Sequence, residues 1–153
     1  MARSYSLDTT GTVAASATLP FLNLISTAAI RPKVFDLIVG SSATPADNAC
    51  KFQIQRCTSV GTPGSTPVPT PDDPADPACL TTAGLLTFTG GPTLTAGAML
   101  LQWSQNQRAT FRWVAAPGKE LVMPATASNG LALMTPTVAG TAVVYDVHVA
   151  FEE

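Results

Sequence analysis

Charge is what this sequence has least of. Its 153 residues include 8 Lys and Arg and 10 Asp and Glu, so 12% of the chain is charged, against ~25% in an ordinary globular domain. The cations are scattered and form no cluster, which argues against direct nucleic-acid binding, because phosphate recognition needs a concentrated cationic surface. Long apolar runs are also missing, and nothing approaches the ~20 residues of a membrane-spanning helix. The most apolar early stretch, residues 13–30, is interrupted by Pro20 and Asn23 and follows no strongly positive segment. It is therefore not read as a signal peptide, and no membrane partner is expected. Tryptophan and tyrosine number only 2 each, few for the exposed aromatic platforms a sugar site would use.

Reactive groups are sparse too. His148 is the single histidine, with Asp146 two residues before it, so in a strand both leave the same face. Such a pair could serve a nucleophilic triad, but no Gly-x-Ser-x-Gly elbow or other nucleophile motif accompanies it. It reads instead as a polar pair on a solvent or interface face, and the chain is not expected to be an enzyme. Cys50, Cys57 and Cys79 make an odd count without a CxxC spacing. One histidine cannot complete a zinc cluster, so three free thiols and no metal or other cofactor are expected. Asp72, Asp73 and Asp76 crowd a proline-rich stretch without EF-hand spacing, and read as a solvated acidic tip suited to a basic patch on a partner.

What fills the chain is Thr, Ser, Ala, Pro and Gly around short apolar segments. The densest aromatic region is Leu100–Ala127, with both tryptophans. Its pattern is strand, turn, strand, turn, strand, the second turn at Ala116-Pro117-Gly118-Lys119. These strands are expected to be central. Val34–Gly40 is almost continuously apolar, as in a strand covered on both faces. Lys51–Thr58 alternates, with Phe52 and Ile54 on one face and Lys51, Gln53 and Gln55 on the other. Thr141–Phe151 alternates as well, with Val143, Tyr145, Val147, Val149 and Phe151 on one face and Ala142, Val144, Asp146, His148 and Ala150 on the other. Leu19–Ala29 is ambiguous between strand and helical turn. Ser128-Asn129-Gly130 is a turn, and Leu131–Val138 a strand broken at Pro136. Phe35, Ile38, Phe52, Ile54, Phe111, Trp113, Val147 and Val149 are the expected core.

Residues 1–18 form either a first strand or an extended arm, with a turn at Asp8-Thr9-Thr10-Gly11. Residues 61–78 hold six of the 13 prolines and must be a surface loop, since proline cannot donate to a ladder. The sum is an all-β antiparallel β-sandwich, jelly-roll-like, of about eight strands. Residues 19–153 make one domain. The arm and the loop are the expected reaching elements. Their polar residues Arg3, Tyr5, Asp72, Asp73 and Asp76 are candidate partner contacts. Arg108 and Arg112, beside the tryptophans, are two more, because Arg and Trp are favoured at interface centres.

Three phrases carry a resemblance: Arg31-Pro32-Lys33-Val34-Phe35-Asp36-Leu37-Ile38-Val39-Gly40 with Thr44–Ala49 after it, Asp73-Pro74-Ala75-Asp76-Pro77-Ala78, and Asn106–Leu121. Over residues 31–150 the chain resembles small virion proteins of tailed bacteriophages that look like capsid decoration, or cement, proteins. The resemblance implies a β-sandwich made in the host cytoplasm and placed on the capsid exterior. There it would brace neighbouring capsomers by contacts with the major capsid protein and with itself, as homo-dimer or homo-trimer. It carries no functional residues over. The alternative from a different class is a carbohydrate-binding module of a virion fibre or a free lectin-like domain.

Overall fold

Period-two alternation, with bulky apolar residues on one face and short polar ones on the other, makes most of this chain strand. A computed structural model describes residues 2–138 and 143–153. Among them are eleven strands and no helix: β1 (Ser4–Val13), β2 (Ser16–Ile25), β3 (Lys33–Ser41), β4 (Ala49–Cys57), β5 (Thr70–Pro71), β6 (Thr82–Leu85), β7 (Leu94–Asn106), β8 (Phe111–Val114), β9 (Leu121–Val122), β10 (Gly130–Val138) and β11 (Val143–Glu152). Sheet A has the order β5-β1-β11-β3-β8, with β9 also on β3; sheet B has the order β6-β2-β10-β4-β7. Every pairing is antiparallel. The two sheets face each other across a shared core, so the antiparallel β-sandwich expected from the sequence is the fold.

The core is built from alternate residues of both sheets. Tyr5 and Leu7 of β1, Leu37 and Val39 of β3, and Tyr145, Val147, Val149 and Phe151 of β11 meet Leu22, Leu24, Phe52, Ile54, Leu131 and Leu133 of sheet B. One edge is closed by an aromatic stack. Phe111 lies on Trp103 at 4.3 Å between ring centroids, Trp103 on Phe52 at 5.3 Å, and Phe52 meets Tyr145 edge-on at 5.2 Å. Offset and edge-on contacts of this kind add to the hydrophobic term.

Several expectations need correction. The aromatic stretch is peripheral: β7 is the last strand of sheet B, and β8 and β9 are at the edge of sheet A. Its rings turn inward and cap the gap between sheets, so Phe111 and Trp113 are only half-buried. The central strands are β11 and β10, whose apolar faces cross the middle of each sheet. The opening segment is no arm, since β1 pairs with β11 from Ser4–Glu152 to Val13–Val143. Asp8–Gly11 lies inside that ladder rather than in a turn. A Cβ at Gly11 would lie 2.5 Å from the Leu86 side chain, so a larger residue there needs Leu86 to shift. β3 is covered on one face only. A register shift between Ala150 and Phe151 puts Val34 inward as well as Leu37 and leaves Phe35 half-buried, while Ile38 is half-buried on the outer face by plain alternation between inward Leu37 and Val39.

Other readings hold. β4 keeps Phe52 and Ile54 inward, and Ala116-Pro117-Gly118-Lys119 is a turn, with Gly118 at φ 77 and Lys119 N bonded to Ala116 O at 2.9 Å. The strand after Gly130 loses register between Met134 and Thr137, around Pro136. Val143–Phe151 presents the face expected of it; Thr141 and Ala142 lie outside the described residues. The ambiguous Leu19–Ala29 is strand as far as Ile25.

The proline-rich segment is a strap, not a free loop. Just before it, Val60, together with Leu94, covers a small cluster of Ile25, Cys57, Ala132 and Met134 on the outside of sheet B. The strap bonds to the β6 region at Thr62–Gly90 and Ser65–Leu85, then adds β5 to β1 on the edge of sheet A. Asp72 N bonds to Ser4 O at 3.0 Å and Tyr5 Oη to Pro77 O at 3.2 Å. These contacts tie the strap to β1 and the β6 region within the chain.

Candidate functional site

The outer face of sheet A gathers most of the ionised side chains in the sheet registers. One row runs Asp8, His148, Ile38, Arg112 across β1, β11, β3 and β8; the next carries Thr10, Asp146 and Gly40. Asp8, Thr10, Ile38, Thr110, Asp146 and His148 line an open groove of about 540 Å³. His148 Nδ1 is 2.8 Å from Asp8 Oδ1. The histidine is therefore held by its cross-strand neighbour and not by Asp146, although Asp146 leaves the same face as expected. No Ser, Thr or Cys side chain among the described residues bonds to the imidazole.

Arg112 grips Asp36 through both carboxylate oxygens, Nε to Oδ1 at 3.1 Å and Nη2 to Oδ2 at 2.6 Å. The guanidinium's hydrogen bonds hold the Asp36 carboxyl below its ordinary range, against the opposite pull of partial burial. The pair joins β3 to β8 and fixes the aromatic edge.

The candidate contact residues fall at two ends of this sheet. At the β5 end, Arg3 Nε is 3.4 Å from Asp76 Oδ1, Ser6 Oγ donates to Asp72, and Asp73 accepts from Ala75 N at 2.9 Å. Each carboxylate of the strap is thus engaged locally. Tyr5 is a correction: it is buried in the core, stacked on Phe151, and only its hydroxyl reaches the strap. At the β8 end are Arg112 and, in the β7–β8 turn, Arg108, whose Nε donates to Pro45 O at 3.3 Å. β1, β11 and β3 separate the two groups, so they do not form one site.

Two residues not singled out by the sequence organise these ends. Asp36 stands in an apolar strand, and a lone acid there was the available signal. Glu153 accepts from Leu80 N at 2.8 Å, Thr81 N at 3.0 Å and Thr81 Oγ1 at 2.7 Å. No local pattern links it to a segment more than seventy positions away.

The cysteines are three separate free thiols. Cys50 Sγ lies 2.7 Å from Tyr145 Oη in the core, and burial raises its pKa. Burial pushes Cys57 up to about 11, and burial with the Glu153 charge pushes Cys79 to about 12. None is a thiolate nucleophile at neutral pH. Among the described residues no three His, Cys, Asp or Glu side chains are grouped to hold a metal ion, and no helix is long and apolar enough to cross a membrane. Compared with family models, curated proteins and solved structures, the chain has no match.

Proposed function

We propose that this protein is a structural virion subunit that decorates and braces a phage capsid lattice through protein–protein contacts, on the capsid exterior, with the major capsid protein and further copies of itself as partners. The observation that carries the reading is the character of the surface. With 12% of residues charged, large apolar side chains stand exposed at Val68, Leu80, Met99 and Val114. They lie on the strap, the segment before β6, β7 and β8. A surface this poor in charge suits a subunit that buries much of its outside against neighbours. The resemblance of residues 31–150 to decoration proteins supplies the kind of lattice.

The winding supports a jelly roll. Leaving out the short β5, β6 and β9, the eight remaining strands numbered in chain order run 1-8-3-6 in sheet A and 2-7-4-5 in sheet B. That double wrapping is common to capsid and lectin domains, so it does not choose between them. The aromatics do weigh against the lectin alternative. Tyr5, Tyr145 and Trp103 are buried and Trp113 is half-buried, so among the described residues no Trp or Tyr ring stands exposed for a sugar to stack on.

The test is to add purified protein to capsids lacking it and measure bound copies by sedimentation. Saturable binding at a fixed ratio to the major capsid protein is expected, reduced in Val68→Asp and Leu80→Asp variants that melt like wild type. Absence of binding, together with binding on a glycan array, would replace this reading with the lectin one.

A further inference from the structure

A sheet edge exposes unpaired backbone donors and acceptors, and proteins normally guard it with proline, charge, shortness or a covering loop. Three of the four edges here are guarded. β5 is a two-residue strand in a segment with Pro67, Pro69 and Pro71. The β8 and β9 edge carries Arg112 and is followed through Lys119 and Glu120. β6 is four residues long and lies beside the strap, which bridges Ser65 to Leu85.

The fourth edge is different. β7 has 13 residues, more than any other strand described, and contains neither a charged residue nor a proline. Among the described residues it pairs with β4 alone. Its irregularity is confined to its first half, where Gly97 sits at φ 71 and the register with β4 shifts on either side of Met99. From Leu101 to Asn106 it is a regular ladder on one side and open on the other, with Gln102 and Ser104 exposed. Met99 is 45% exposed.

We infer that β7 is a self-association edge: two copies of this chain pair their β7 strands antiparallel about a two-fold axis, extending each five-stranded sheet B into a ten-stranded one. The chemistry selects a second copy. An edge without charge offers no handle to a charged partner, whereas paired with itself it brings no like charges together in any register. A two-fold contact between identical strands also closes, giving a discrete dimer rather than a chain. The size is sufficient for a weak specific contact. A 13-residue strand at ~3.4 Å per residue runs ~44 Å, and a sheet layer is ~10 Å thick. Two such edges cover on the order of 900 Å² in projection, the low end of specific interfaces. The inference gives a surface to the self-association proposed above, and does not depend on whether the partner shell is a capsid.

The experiment is sedimentation of the full chain over a wide concentration range, with amide hydrogen exchange at both ends of it. A monomer–dimer equilibrium with a Kd between about 1 µM and 1 mM is expected, with amides of Leu94–Asn106 gaining protection as dimer forms. A Met99→Lys/Gln102→Lys double variant should weaken the dimer at least about tenfold, through like charges on a desolvated edge. Val68→Lys, on the strap, should leave it unchanged. If the double variant does not fold, the wild-type exchange pattern decides. A chain monomeric throughout, or a dimer that leaves β7 exchange unaltered, overturns the inference. A chain that stays monomeric yet saturates capsids would overturn it while leaving the decoration reading intact.

Discussion

Phe52 and Phe111 belong to one aromatic stack but not to one environment. Phe52 is fully buried between Trp103 and Tyr145, whereas Phe111 stands half-buried at the end of the stack. Phe52→Ala should therefore cost ~3–5 kcal/mol, the range for a buried ring whose cavity cannot collapse, and Phe111→Ala clearly less. Urea denaturation of the two variants ranks them; equal losses would mean that the stack, not burial, sets the cost. Asp36 gives a pH signature. Its folded pKa lies below the unfolded value, so its contribution is present above the unfolded value of ~3.9 and is lost as pH falls through the lower folded value. The stability gap between wild type and Asp36→Asn should be constant near neutrality and close below about pH 4 by the same linkage. A gap unchanged at pH 2 would remove the Arg112 pair as its cause. At this scale the strand phase of Phe52, Ile54, Val147 and Val149 was legible in the sequence, because unbroken alternation gives only two choices of face. Phe35 was not, because one register shift between Asp36 and Val34 alters which residue faces inward and nothing local marks it, and Ile38 was not, because the nearly continuous apolar run of β3 offers no alternation to read.

Among the elements, β1 and the strap were the hardest to place from sequence. Their small and proline residues suggested segments that could not hold themselves in a core. They are held by others: β1 by its ladder to β11, and the strap by β1 and the β6 region. Removing residues 2–13 should therefore leave no folded domain, rather than a folded one without an arm. The latch at Glu153 is the more discriminating test. Glu153→Ala removes an acceptor shared by the Leu80 and Thr81 amides, so those amides should exchange at least about tenfold faster, as local opening becomes cheaper. Amides of β11 should be unaffected. Global acceleration would mean that Glu153 supports the whole sheet instead of the segment before β6. The aromatic stretch teaches the converse lesson. Its hairpin pattern was readable, yet aromatic density marks where large area is buried, not which strand lies in the middle.

At the scale of the molecule, both sheets share one core, so unfolding should be a single transition. Tryptophan fluorescence reports the β7–β8 edge, and far-UV circular dichroism reports all strands. Their urea midpoints should coincide, as for a two-state domain of this size. Two separated midpoints would mean that the edge or the strap opens on its own. Composition and periodicity, by themselves, determined that this chain is an all-β sandwich poor in charge, because alternation and charge are properties of residues and their near neighbours. Only the tertiary structure decided that β7 is an edge, that Asp8 rather than Asp146 holds His148, that Asp36 meets Arg112, and that Glu153 closes over Leu80. Each of these depends on which strands lie side by side, and antiparallel pairing sets that by packing between residues distant in sequence.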